Sequence, residues 1–161
     1  MQKIIGSFNS LFFIEKLFNN LFMFNIFKNI FRKKESKYYF YVIDDEPDVL
    51  EVIADLIEST LPCVVKKFTK VKDALDALSQ ENLAPDLIYS DIKMGSESGL
   101  LLKDQVDVLG HNIPILYITG LSGQEGLMNG YWSINKPVSK MSLKKYTKIL
   151  LDETKTRKKF N

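Results

Sequence analysis

From residue 38 onward the chain alternates, at short intervals, between brief apolar runs and segments whose apolar residues recur at helical spacing. That alternation constrains the fold more than any other feature. Strands separated by helices pair in parallel, and both faces of such a sheet must be covered. Residues 38–43 form an aromatic and β-branched run that reads as a buried strand. Pro47 suits the first turn of a helix over 47–60, with Val49, Leu50, Val52, Ile53, Leu56 and Ile57 at helical spacing. A second strand at 64–68 precedes a helix at 71–83, whose Val71, Ala74, Leu75 and Leu78 share a face. The third strand, 87–90, is followed by a helix at 99–109 with Leu101, Leu102, Val106 and Leu109 inward. A fourth strand at 115–118, a short fifth at 132–135 and a closing helix at 140–154 complete the pattern.

Size and composition agree with one domain plus an extension: 161 residues, 45% hydrophobic and 26% charged. The net charge is only +2, and its excess sits in Arg32-Lys33-Lys34 and Arg157-Lys158-Lys159. Two local clusters on a balanced body read as solvated ends, so no nucleic-acid partner is expected. The single cysteine, Cys63, neither staples the fold nor holds zinc, and reads as a small buried hydrophobe beside a strand. A cytoplasmic location is compatible with that usage.

Residues 1–37 differ in character, being crowded with Phe, Ile, Leu, Asn and Lys. Glu15 and Lys16 split the apolar run and Asn19, Asn20 and Asn25 dilute it, which argues against a spanning helix. No small-residue cleavage site follows Lys3, which argues against a secretory signal. Two readings stay open. Between Phe8 and Phe22 the polar residues gather on one half of a helical wheel, which suits contact with a membrane surface through residues 4–31, at the inner face. Alternatively the start is assigned too early and Met23 begins the native chain. Residues 38–154 are then the folded domain and 155–161 a basic tail.

In a parallel sheet of this kind the functional crevice lies at the carboxyl ends of the strands. Asp44-Asp45-Glu46 end the first strand, Asp91 follows the third, Thr119 the fourth and Lys136-Pro137 the fifth. Topology alone thus brings carboxylates, a hydroxyl and a lysine to one edge. The acidic trio could equally serve the dipole of the helix that follows it. Asp91, Thr119 and Lys136, each taken alone, could be ordinary strand-end residues. Together they are harder to dismiss, because carboxylates buried side by side are costly unless a metal or a lysine offsets them. His111, the only histidine, precedes Asn112-Ile113-Pro114 in an expected surface loop and is given no role.

The set resembles the response-regulator receiver family over about residues 39–151. The pieces that carry the resemblance are Val42-Ile43-Asp44-Asp45-Glu46-Pro47, Leu87-Ile88-Tyr89-Ser90-Asp91-Ile92-Lys93-Met94 with Gly99 beyond it, Ile115-Leu116-Tyr117-Ile118-Thr119-Gly120, and Lys136-Pro137. Each is weak alone, and all of them in order are specific. The resemblance implies a flavodoxin-like, doubly wound α/β fold with a five-stranded parallel sheet in order 2-1-3-4-5. It implies that Asp91 accepts a phosphoryl group from a sensor histidine kinase or a histidine phosphotransfer protein. It implies Mg2+ on Asp44, Asp45, Asp91 and the Lys93 backbone carbonyl, with Lys136 as the charge partner of Asp91 and Thr119 as the switch hydroxyl. Such a domain is not an enzyme beyond catalysing its own phosphorylation and dephosphorylation, and the expected type is single-domain.

Three departures stand out. Gly95 replaces the family's usual proline, which predicts a looser loop beside Asp91. Glycines 120, 123, 126 and 130 crowd the segment before Lys136, at about 1 kcal/mol each in a helix interior, which predicts a fourth helix reduced to a turn or loop. Ser133 occupies the place, three residues before the lysine, where the family usually has an aromatic residue. The alternative function is therefore a phosphorylation-independent adaptor acting by protein contact. A magnesium-dependent phosphohydrolase is a weaker third, because Lys93 stands where it would need a second aspartate. A weak fourth helix also favours a monomer.

Overall fold

The computed structural model describes residues 37–81, 83–95, 97–120, 123 and 125–160. The expectations for residues 4–31 and for a start at Met23 lie outside the described residues. Strand β1 (Tyr38–Ile43) leads to helix α1 (Pro47–Thr60), β2 (Cys63–Phe68), helix α2 (Val71–Gln80) and β3 (Leu87–Asp91). A small hairpin, β4 (Lys93–Met94) with β5 (Glu97–Ser98), and a 3-10 turn (Gly99–Leu101) precede helix α3 (Leu102–Val108). Strand β6 (Ile115–Thr119), β7 (Gly126–Met128), β8 (Tyr131–Asn135) and helix α4 (Lys140–Phe160) follow.

The main sheet has six strands in the order β2-β1-β3-β6-β8-β7. Its first five are parallel, in the order expected, and β7 adds an antiparallel edge strand. Alternation along each strand sorts the apolar residues into two cores. Phe40, Val42, Leu87, Tyr89, Leu116, Ile118 and Ile134 face the layer of α1 and α4, where Leu50, Ile53, Ile57, Leu143, Tyr146, Leu150 and Leu151 pack on them. Tyr41, Ile43, Ile88, Ile115 and Tyr117 face α2 and α3, represented by Val71, Ala74, Leu78, Leu102 and Val106. The sheet is thus buried on both sides, as a parallel sheet requires. Among the described residues no helix is long and apolar enough to cross a membrane.

Several boundaries differ from the sequence expectations. Helix α2 stops at Gln80 rather than 83, because Glu81 turns extended and its carboxylate takes hydrogen bonds from Tyr39, Tyr41 and Lys66. The third helix begins as a 3-10 turn, a common form of helix start, and Gly99 at its head donates its N–H to the Ile92 carbonyl. Of its four residues expected inward, Leu102 and Val106 are buried, whereas Leu101 and Leu109 are exposed. Helix α4 runs on to Phe160, taking up most of the stretch read as a tail.

Where a fourth helix would cross from β6 to β8, the described residues form β7 instead. Met128 pairs with Tyr131 across a two-residue turn, Asn129-Gly130, in which both residues have positive φ (50° and 86°). That is the backbone of a type I′ hairpin, for which Asn-Gly is the favoured pair. The loop beside Asp91 contains a paired hairpin, with Met94 opposite Glu97. Gly95 there has φ +54°, which proline, fixed near −65°, cannot adopt.

Candidate functional site

The site is built at the carboxyl edge of β1, β3, β6 and β8. β1 delivers Asp44 one residue beyond its last paired position, and Asp44 donates its own N–H to the Phe68 carbonyl of β2. Its Oδ1 accepts the Glu46 N–H at 3.0 Å, tying the turn that leads into α1. The N-cap of α1, Glu46, makes no side-chain capping bond, and the second oxygen of Asp44 is used elsewhere. Asp44 Oδ2 accepts from Lys136 Nζ at 2.8 Å, and Asp91 Oδ2 accepts from the same ammonium at 3.1 Å. Asp44 and Asp91 are buried, and Asp45 is exposed at the rim.

Lys136 bridges two carboxylates that begin 47 positions apart in the chain and lie on adjacent strands. Burial works to lower the pKa of its ammonium, but the hydrogen bonds to Asp44 and Asp91 outweigh this and hold it above the ordinary lysine value. Its own N–H donates to the Thr119 carbonyl at 2.7 Å, and the Lys136-Pro137 peptide is cis. Thr119 is buried at the end of β6, one position past the Asp91–Ile118 pair. Lys93 has an exposed side chain, and its N–H approaches Asp91 Oδ1 at 3.4 Å.

Oxygens of Asp44, Asp45 and Asp91 lie within 4.8 Å of one another. Three carboxylates face one ammonium, which leaves an acidic cluster suited to a hard divalent cation with oxygen ligands. Gly95 lies beside this rim, its Cβ position 3.7 Å from Asp45 Oδ2, and what calls for glycine there is its positive φ. Gly99 packs directly beneath the Asp91 carbonyl, where a Cβ would fall at 2.1 Å.

Ser133 is buried and sits opposite Tyr117 in the β6–β8 register. The aromatic mass on this face comes instead from Tyr117, whose ring meets Tyr131 edge-on at 5.7 Å. Burial pushes the Tyr117 phenol up to about 12, and its hydroxyl donates to the Leu100 carbonyl at 3.4 Å. Trp132 points to the other face and packs on Tyr146. Sequence reasoning missed Glu125. Its Oε1 accepts the Asn135 N–H at 3.1 Å and its Oε2 the Ser142 hydroxyl at 2.6 Å. No pattern in a glycine-rich crossover singles out one glutamate; only the fold brings it beside the strand that carries Lys136.

A family model described as the response regulator receiver domain matches residues 40–148. Among curated proteins, the chain is similar to the response regulator protein TmoT of Ectopseudomonas mendocina, 34% identical over 80 residues. That alignment covers 50% of this chain and 35% of TmoT. It is also similar to the response regulator protein TodT of Pseudomonas putida, at 31% over 80 residues, 50% of this chain and 34% of that protein. The chain thus spans about a third of the length of the curated relatives it matches. Among solved structures, the receiver domain of the Francisella response regulator 1452 superposes with a TM-score of 0.60 at 24% identity, covering 73% of this chain and 99% of that one. A response regulator receiver domain protein from Clostridium thermocellum gives 0.60 at 22%, covering 74% and 98%. At these identities the likeness in structure concerns the fold.

Proposed function

The chain belongs to the response regulator receiver domain family, and on that premise we propose that Asp91 accepts a phosphoryl group from a sensor histidine kinase or a histidine phosphotransfer protein. The observation that carries this reading is the Lys136 ammonium held between Asp44 and Asp91 beside Asp45. The arrangement supplies a buried carboxylate nucleophile, a fixed positive charge next to it, and an acidic rim.

In the proposed step an Asp91 carboxylate oxygen attacks phosphorus and forms an acyl phosphate. The bond from phosphorus to the donor's imidazole nitrogen breaks, and the nitrogen keeps the electron pair. Mg2+, held by Asp44, Asp45, Asp91 and the Lys93 carbonyl, would neutralise charge on the transferring group. Lys136 pairs with Asp91 before transfer and is placed to pair with phosphoryl oxygens afterwards. Thr119, at the end of the adjacent strand, would turn its hydroxyl toward the new group and draw the crossover after β6 with it.

The test is intact-mass spectrometry of wild type and Asp91→Asn after incubation with Mg2+ and a small acyl-phosphate donor. One added phosphoryl group on wild type alone is expected. An adduct on both proteins would move the acceptor elsewhere. The second reading, a phosphorylation-independent adaptor, is favoured by Ser133 and the hairpin crossover, which alter the face where an aromatic switch residue would stand. Wild type with neither an adduct nor measurable Mg2+ binding would make it the working description.

A further inference from the structure

The crossover from β6 to β8 carries Gly120, Gly123, Gly126 and Gly130, and such backbone has little order of its own. Yet hydrogen bonds from two elements converge on its middle. Asn135 donates its N–H to Glu125 Oε1 at 3.1 Å and its side-chain amide to the Gly123 carbonyl at 2.8 Å. From α4, Ser142 donates to Glu125 Oε2 at 2.6 Å and Tyr146 donates its hydroxyl to the Glu125 carbonyl at 3.2 Å. Gly126 follows with φ +120°, and a Cβ there would lie 3.6 Å from the Tyr146 ring. Ser139 in turn accepts the Ser142 N–H at 3.0 Å, fixing the first turn of α4.

These anchors bracket Lys136. Asn135 immediately precedes it, and Ser142 lies in the first turn of the helix that begins at Lys140. We propose that Glu125 is a positioning residue for the phosphoryl-transfer site. One carboxylate clamps the end of β8 to the start of α4, and so fixes the backbone from which Lys136 reaches Asp44 and Asp91. The inference rests on the phosphotransfer reading above and extends it to a residue that touches none of the reacting atoms. A charged acceptor suits the task, because hydrogen bonds to a carboxylate are shorter and stronger than those to a neutral group. The clamp replaces what a packed crossover helix would otherwise contribute to holding this end of the sheet.

The test compares wild type, Glu125→Ala, Glu125→Gln and Ser142→Ala in three measurements: the rate of Asp91 phosphorylation by a small acyl-phosphate donor, Mg2+ affinity by calorimetry, and the NMR resonance of the Lys136 ε-carbon. Glu125→Ala is expected to slow phosphorylation about tenfold or more, since small misplacements of a reacting constellation are costly. Mg2+ affinity should stay within about twofold, because the three aspartates are untouched. The Lys136 resonance should move. Glu125→Gln, whose carbonyl oxygen can still accept from Asn135 while its amide donates to Ser142, should restore both rate and resonance. If Glu125→Ala does not fold, Ser142→Ala carries the same expectation at a few-fold effect, with the Lys136 resonance shifted.

A wild-type rate in Glu125→Ala, or a slowed rate with an unmoved Lys136 resonance, overturns this inference and leaves phosphotransfer standing. Wild type that binds Mg2+ but takes up no phosphoryl group overturns both.

Discussion

A Cβ on Gly99 would lie 2.1 Å from the Asp91 carbonyl oxygen and 3.2 Å from the Met94 methyl. The first of these atoms is backbone and cannot rotate away. Gly99→Ala is therefore expected to cost about 1–3 kcal/mol in urea unfolding, as overpacking does. Lys136 makes a prediction of a different kind. Burial opposes its charge, but the two aspartates raise its pKa above 10.5. A value raised in the folded state means that the ammonium stabilises the fold fully below the ordinary lysine pKa. That contribution is lost as pH rises through the folded value. Urea midpoints of wild type and Lys136→Met should differ by a steady margin from pH 7 to about 10 and converge above 10.5. A margin that stayed flat to pH 12 would mean that the ammonium is not the stabilising species. The four residues Asp44, Asp45, Asp91 and Lys136 were all legible from their places at strand ends, because strand topology alone brings such ends together. Glu125 was not, since its partners lie 10 and 17 positions away and become neighbours only once β8 and α4 are in place.

The elements divide in the same way. Helices α1 and α4 were legible because long, strongly periodic segments are decided by the face they bury. The antiparallel strand β7 was missed although its signal was present. Asn129-Gly130 is a strong two-residue hairpin pair, but among four closely spaced glycines the helix-breaking effect of Gly130 masks it. The hairpin after Met94 has no comparable signal, because a lone glycine there shows only that a positive φ is allowed; the structure has Gly95 at φ +54° with Met94 paired to Glu97. Between elements, one buried polar contact joins the centre of the sheet to its covering helix. Tyr89 and Thr147 share a hydrogen bond of 2.7 Å, both fully enclosed. Tyr89→Phe would strand the threonine hydroxyl and is expected to cost about 1–2 kcal/mol, read as a lower thermal midpoint with an unchanged far-UV spectrum. No loss at all would mean that Thr147 finds another acceptor within its helix.

For the molecule as a whole, the two apolar cores on opposite faces of one sheet follow from the alternation of side chains along β1, β3 and β6. That architecture was readable because no other layering buries continuous apolar strands on both sides. The hairpin that closes the sheet also bears on the order in which it can assemble. Within the six-stranded sheet, β7 and β8 are joined by two residues, whereas β6 and its parallel partners must wait for long connections to close. A ribbon of this sort forms in about 1–10 μs, well before such distant pairings. In the finished sheet β8 is held on both sides, by β6 in parallel and by β7 in antiparallel pairing. The lysine just beyond its end therefore reaches the two aspartates from a strand braced along its outer edge.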